Sequence, residues 1–241
     1  MGADTDHRWH DVAASALEWW ADAGVDQLVE ETAGGWIAPP VPAMAAAPAA
    51  PSAIPVSDSP LPGDWASYIA WRLGPDAPDA AWPGRVVPPS GPVDAEWLIL
   101  SDVPEGEDVD GPLSSGAVGR LTDNILAAIG IDRATAHIAT LAVKAPATGQ
   151  IPAEQLPEFG RIAHHLLAIS GARRVLVFGQ ATSRALFGIN DRAERGRLRA
   201  VNHDARKLAV VATHAPRFMV ERPRVKGEVW RDIQSLMRGL Q

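Results

Sequence analysis

Cysteine is absent from all 241 residues. That excludes disulfides, thiolate zinc centres, cysteine-ligated iron–sulfur clusters and cysteine nucleophiles. No apolar run approaches the roughly 20 residues of a membrane-spanning helix. The opening MGADTDHRWH lacks the basic-then-apolar order of a signal peptide. These absences lead us to expect a soluble, cytoplasmic protein that has no contact with a membrane. No Walker, GxGxxG or HExxH motif is present. The neighbouring His164 and His165 point apart on a helix and cannot share a metal, so no metal or other cofactor is expected.

Basic residues are nearly missing from the first half. Residues 1–119 hold only Arg8, Arg72 and Arg85 against nineteen carboxylates. The balance reverses later: twelve basic residues face five acidic ones over 192–241, within a net charge of −7. A basic end of this kind reads either as a phosphate-binding surface, nucleic acid among its ligands, or as a solvated terminal segment that offsets the acidic front.

The apolar spacing of Val12, Leu17, Trp19, Trp20, Val25 and Leu28 predicts a helix over 7–33, inside an N-terminal segment 1–37. Residues 38–63 are rich in Pro and Ala and read as a semi-rigid linker. The third region, 64–241, has its core at 95–241. A short helix over 64–73 precedes a second Pro-rich stretch. Strands are predicted at 96–101, 137–143, 174–178 and 207–212, and helices at 116–129, 153–169, 181–187 and 225–240. Strands that are apolar on both faces, alternating with helices, predict an α/β fold. Its expected form is a three-layer α/β/α sandwich with a four-stranded parallel sheet.

In such a sheet the chemistry lies beyond the carboxyl ends of the strands. Asp102 follows the first strand directly, placed to position water or stabilise a developing cation. The carboxylates at 105–110 read as a solvated acidic loop. His214 follows the last strand, where it would donate to a developing oxyanion. Arg217, Arg222, Arg224 and Lys226 come next and would hold phosphates. Gly179 opens a helix whose N-terminus suits an anion.

Taken in order, SDVPEGEDVDGPLSSGAVG, GRLTDNILAAIGIDR, TLAVKAPATGQIP, RVLVFGQATSRALFG and THAPRFMVERPRVKGEVWRDIQSL resemble the uracil-DNA glycosylase superfamily, nearest its bacterial family-4 branch. ALEWWADAGVD resembles that branch's leading helix. The resemblance implies base flipping, with Asp102 and His214 as catalytic residues and Val103, Leu113, Ser114 and Leu141 in the base pocket. The departures are equally specific. Ala145 stands where a cluster cysteine would follow the lysine. Leu141 replaces the asparagine that reads uracil, and leucine has no donor or acceptor. Leu113 or Ser114 replaces the stacking aromatic, and Ala215 the proline after the histidine.

Two readings stay open. One is a DNA-repair hydrolase, a DNA N-glycosylase with weakened or lost uracil excision, acting on uracil or a related damaged base. The other is a non-catalytic repair or replication adaptor on the same fold, nucleoid-associated, which binds DNA and takes a protein partner through the Trp19/Trp20 helix.

Overall fold

A computed structural model describes residues 6–22, 60–106, 108, 111–188, 196–203 and 206–238. The chain divides into two units, Met1–Ala50 and Pro51–Gln241. In the first, helix α1 spans Asp6–Asp22. Trp9, Val12, Leu17 and Trp19 are all exposed on it. The predicted continuation to residue 33, with Val25 and Leu28, lies outside the described residues. So do the Trp20 side chain and linker residues 38–59.

The second unit opens with α2 (Trp65–Arg72), which starts where the Asp64 carboxylate accepts from the Ser67 N–H at 2.9 Å. Then follow β1 (Trp97–Ser101), α3 (Gly116–Ala128), β2 (Ala136–Thr140), α4 (Leu156–Ile169), β3 (Arg174–Phe178) and α5 (Gln180–Phe187). The chain closes with β4 (Arg199–His203), β5 (Arg206–Thr213), α6 (Pro216–Glu221) and α7 (Lys226–Arg238). No helix among the described residues is long and apolar enough to cross a membrane.

Among the described residues the sheet has five strands, not the four expected, in the order β2-β1-β3-β5-β4. All pairings are parallel except β4 on β5, whose register runs from Arg199↔Val210 to His203↔Arg206. The sequence RAVNH is half polar. An edge strand with one neighbour tolerates that composition, which is why periodicity missed it. The second strand is also shorter than the predicted 137–143. Beyond Thr140 the Val143 and Lys144 N–H groups turn to the Asp79 carboxylate, at 2.6 and 3.1 Å, and the strand ends.

Side chains alternate between two cores, as a period-two strand requires. Leu98, Leu100, Val175, Val177, Leu208 and Val210 pack with Phe159, Ile162 and Leu166 of α4, Tyr68 of α2 and Leu186 of α5. On the opposite face Ile99, Ile138, Leu176, Phe178 and Val211 meet Leu126 of α3, Met219 of α6, and Val229, Ile233 and Leu236 of α7. Complete burial of such a side chain is worth about 1.5–3 kcal/mol. Both helical layers are therefore strongly held, and the strand ends are fixed between them.

The Pro-rich segment before β1 is built into this body. Asp79, wholly buried, accepts two hydrogen bonds from the Arg72 guanidinium, one of them at 3.2 Å. Arg72 also donates to the Leu141 carbonyl at 2.9 Å. Further along, Ser90 pairs antiparallel with Ile138, and the Val87 N–H donates to the Val143 carbonyl.

Candidate functional site

Four strand ends converge on one side of the sheet. Asp102 leaves β1 half-buried, next to the start of α5. Its Oδ1 accepts from the Thr182 N–H at 2.8 Å and from the Thr182 hydroxyl at 2.7 Å. Thr182 is the third residue of α5, so Asp102 caps that helix from a neighbouring strand. Gly179 makes the approach possible: it has φ +105°, and a Cβ there would run into the Asp102 carboxylate. The anion place at this helix N-terminus is thus filled by the chain's own carboxylate. Burial raises the Asp102 pKa above 3.8, with the Thr182 hydrogen bonds and the Arg217 charge opposing it.

Asp102, Val103, Leu113, Ser114 and Arg217 line one cavity together with Glu105, Asp108, Thr122, Phe178 and Pro216. Its free space is about 30 Å³. That is room for one or two waters, far below the roughly 300 Å³ of an ordinary ligand pocket. Leu113, in its wall, is 2% exposed and packs in the core with Ile99, Ile138 and Phe178.

The segment carrying Leu113 is held on several sides. Arg133 donates to the Leu113 carbonyl at 2.8 Å and to the Ser114 carbonyl at 2.9 Å, while its Nε reaches Asp123 at 2.7 Å. Ser114 has φ +61°, a left-handed conformation rare for serine. Gly119 carries no side chain because a Cβ there would strike the Ser114 carbonyl. Asp108 is 2% exposed, which departs from the solvated loop expected at 105–110. It accepts from the Glu105 and Ser115 N–H groups and folds the loop onto itself. Glu107 and Asp110 lie outside the described residues. Burial raises the Glu105 pKa above 4.5, against the pull of Arg217, whose Nη1 lies 3.5 Å from its carboxylate.

The other predicted residues lie elsewhere. Leu141 does not line the cavity. It is 2% exposed and packs in the core on the α4 side. Its N–H donates to the Ser101 carbonyl at 2.7 Å. His214 is buried, stacked on Phe218 with ring centres 5.1 Å apart, and its Nε2 lies 3.5 Å from the Glu228 carboxylate. It too stands outside the cavity lining. Arg222, Arg224 and Lys226 are exposed, and the Arg222 guanidinium lies 5.1 Å from the Phe218 ring centre.

Sequence reasoning missed Thr182, Arg133 and Asp79. For Thr182 a signal existed, a hydroxyl three residues into a helix that follows glycine. For the other two there was none: Arg133 reaches the Leu113 and Ser114 carbonyls twenty and nineteen residues away, and Asp79 joins Arg72, seven residues before it, to the N–H groups of Val143 and Lys144 beyond β2. Among the described residues no group of three or more His, Asp or Glu side chains is gathered as a metal site. Around Ala145 the chain is close-packed: a Cβ on Gly84 would meet the Ala145 backbone N and O at 2.7 Å. No family model matches this chain, and no curated protein does either.

Proposed function

We propose that the chain is a divergent uracil-DNA glycosylase-like protein of DNA repair or replication that has lost uracil excision and serves as a non-catalytic adaptor. The resemblance of its ordered motifs suggests the three-layer α/β/α glycosylase fold, and the parallel order with helices on both faces is consistent with it. One observation carries the loss of excision: the cavity at the strand ends, with the buried Leu113 in its wall, has only about 30 Å³ of free space. A flipped base needs a pocket that takes its whole ring. Asp102, tied to α5, and His214, stacked on Phe218, are held in structural contacts.

In this reading the exposed Arg217, Arg222, Arg224 and Lys226 bind DNA phosphates, and the protein works at the nucleoid. The exposed apolar residues of α1, Trp9, Val12, Leu17 and Trp19, form a helix that enters a partner's groove.

The test uses labelled oligonucleotides: a U·G duplex, a uracil-containing single strand and an undamaged control. Binding is measured at two salt concentrations, and base release by alkali-sensitive cleavage. The expected result is no cleavage above control, with binding indifferent to uracil. Four phosphate contacts give a log–log salt slope of at most about −3 on a single strand. Cleavage that disappears in His214→Ala overturns the proposal and restores a glycosylase.

A further inference from the structure

A second cavity lies away from the Asp102 site, between the segment after α2 and the chain leaving β2. Its volume is about 270 Å³, near the lower end of the roughly 300–1,000 Å³ typical of small-ligand pockets. Arg72, Asp79, Ala77, Val86, Val143 and Lys144 are among its walls.

The charges in those walls do not cancel. Arg72 and Asp79 neutralise each other in a buried bidentate pair. Lys144 has no such counterpart. Its half-buried ammonium donates to the Ala80 carbonyl at 2.6 Å and to the Trp82 carbonyl at 3.3 Å. An ammonium has three N–H groups. Among the described residues the third has no acceptor, and no carboxylate pairs with the charge. Neutral carbonyls orient this cation without balancing it, and the cavity opens beside it.

We infer that this cavity binds a small anionic ligand, a carboxylate or a phosphate monoester, whose anionic oxygen takes the third N–H of Lys144. Charge-assisted hydrogen bonds of this kind are the strong ones. The neutral Arg72–Asp79 pair forms the floor, and the apolar Val86, Val143 and Ala77 accommodate a short uncharged body. The inference is independent of the DNA reading, since none of these residues belongs to the α6–α7 surface.

The experiment titrates the full chain with inorganic phosphate and, separately, with acetate, at constant ionic strength held by sodium chloride, by calorimetry. The expected result is saturable one-site binding of at least one anion. Lys144→Met, which keeps the aliphatic stem, should weaken it roughly ten- to a hundredfold, the worth of a charged hydrogen bond. Val86→Phe should also weaken it by narrowing the mouth while leaving Lys144 in place. Val86 is 39% exposed, so this variant folds and decides the matter if Lys144→Met does not. Preference for phosphate or for acetate identifies the ligand as phosphate monoester or carboxylate, and either supports the site. No saturable binding of either anion overturns it. So does affinity unchanged in Lys144→Met, which places the ion elsewhere.

Discussion

Replacing Leu113 by alanine tests whether the cavity at the strand ends is rigidly closed. A buried Leu→Ala change costs about 2–5 kcal/mol, depending on how far the surroundings collapse into the space. Here they are held apart. Arg133 grips the carbonyls of Leu113 and Ser114, Asp108 holds the Ser115 N–H, and the bare Cα of Gly119 sits against the Ser114 carbonyl. The expected cost is therefore in the upper half of the range, about 4 kcal/mol. Arg133→Ala alone removes two hydrogen bonds to backbone carbonyls and a largely exposed ion pair, about 1–3 kcal/mol. Once that grip is gone the loop is free to settle into the space. The double variant should then be less damaged than the sum of the two by about 1 kcal/mol or more. Urea unfolding followed by far-ultraviolet circular dichroism gives all four stabilities. Additivity within about 0.5 kcal/mol would refute the argument that Arg133 keeps the segment from collapsing.

Asp79→Ala should cost about 3–5 kcal/mol in urea unfolding, because Arg72 is left charged and buried. Adding Arg72→Leu should recover only part, since the Val143 and Lys144 N–H groups still lack their acceptor. Full recovery would mean that the ion pair alone matters. Leu141→Asn puts an amide into an apolar core, and a loss of about 2–4 kcal/mol with no gain in uracil release is expected; cleavage of a uracil strand by this variant would contradict the placement of Leu141. Stability against pH separates Asp102 from His137. Burial raises Asp102 above 3.8, so its contribution is present at acid pH and is lost as pH rises through the raised value. Wild type should therefore lose ground to Asp102→Asn on going from pH 4 to neutrality. Burial lowers His137 below 6.5, so its contribution is present above that value and is lost as pH falls through the lowered one. Wild type should lose ground to His137→Leu on acidification below about pH 6.5, and parallel urea midpoints for that pair would refute this.

Whatever depended on local periodicity could be read from the sequence. The four parallel strands and helices α3, α4, α5 and α7 lie close to their predicted spans because each buries an apolar stripe. The strand-end position of Asp102 followed from the fold class. Contacts formed across the sheet could not be read. The cap from Asp102 to Thr182 spans eighty residues, and the Arg133 grip on Ser114 nineteen. The six residues of α6, opened by Pro216, are too few to display a period. Leu141 illustrates the limit of aligning motifs. Its chain position is at a strand end, but the side chain faces the core, and only the strand's facing decides that.

The Ser90–Ile138 pairing bears on where the folded body begins. Strand–helix alternation alone would start it near residue 95. Yet the residues before that point cover the outer rim of β2, through Ser90 and Val87, and Arg72 and Asp79 pin the turn beyond it. A chain cut at 95 would present β2 bare, with its hydrogen-bonding groups open to other chains and an apolar core uncovered behind them. Such a fragment would self-associate through that rim. The proline-rich stretch, spacer-like in composition, thus acts as a guard against polymerisation, and light scattering of fragments starting at 60 and at 95 would register the difference.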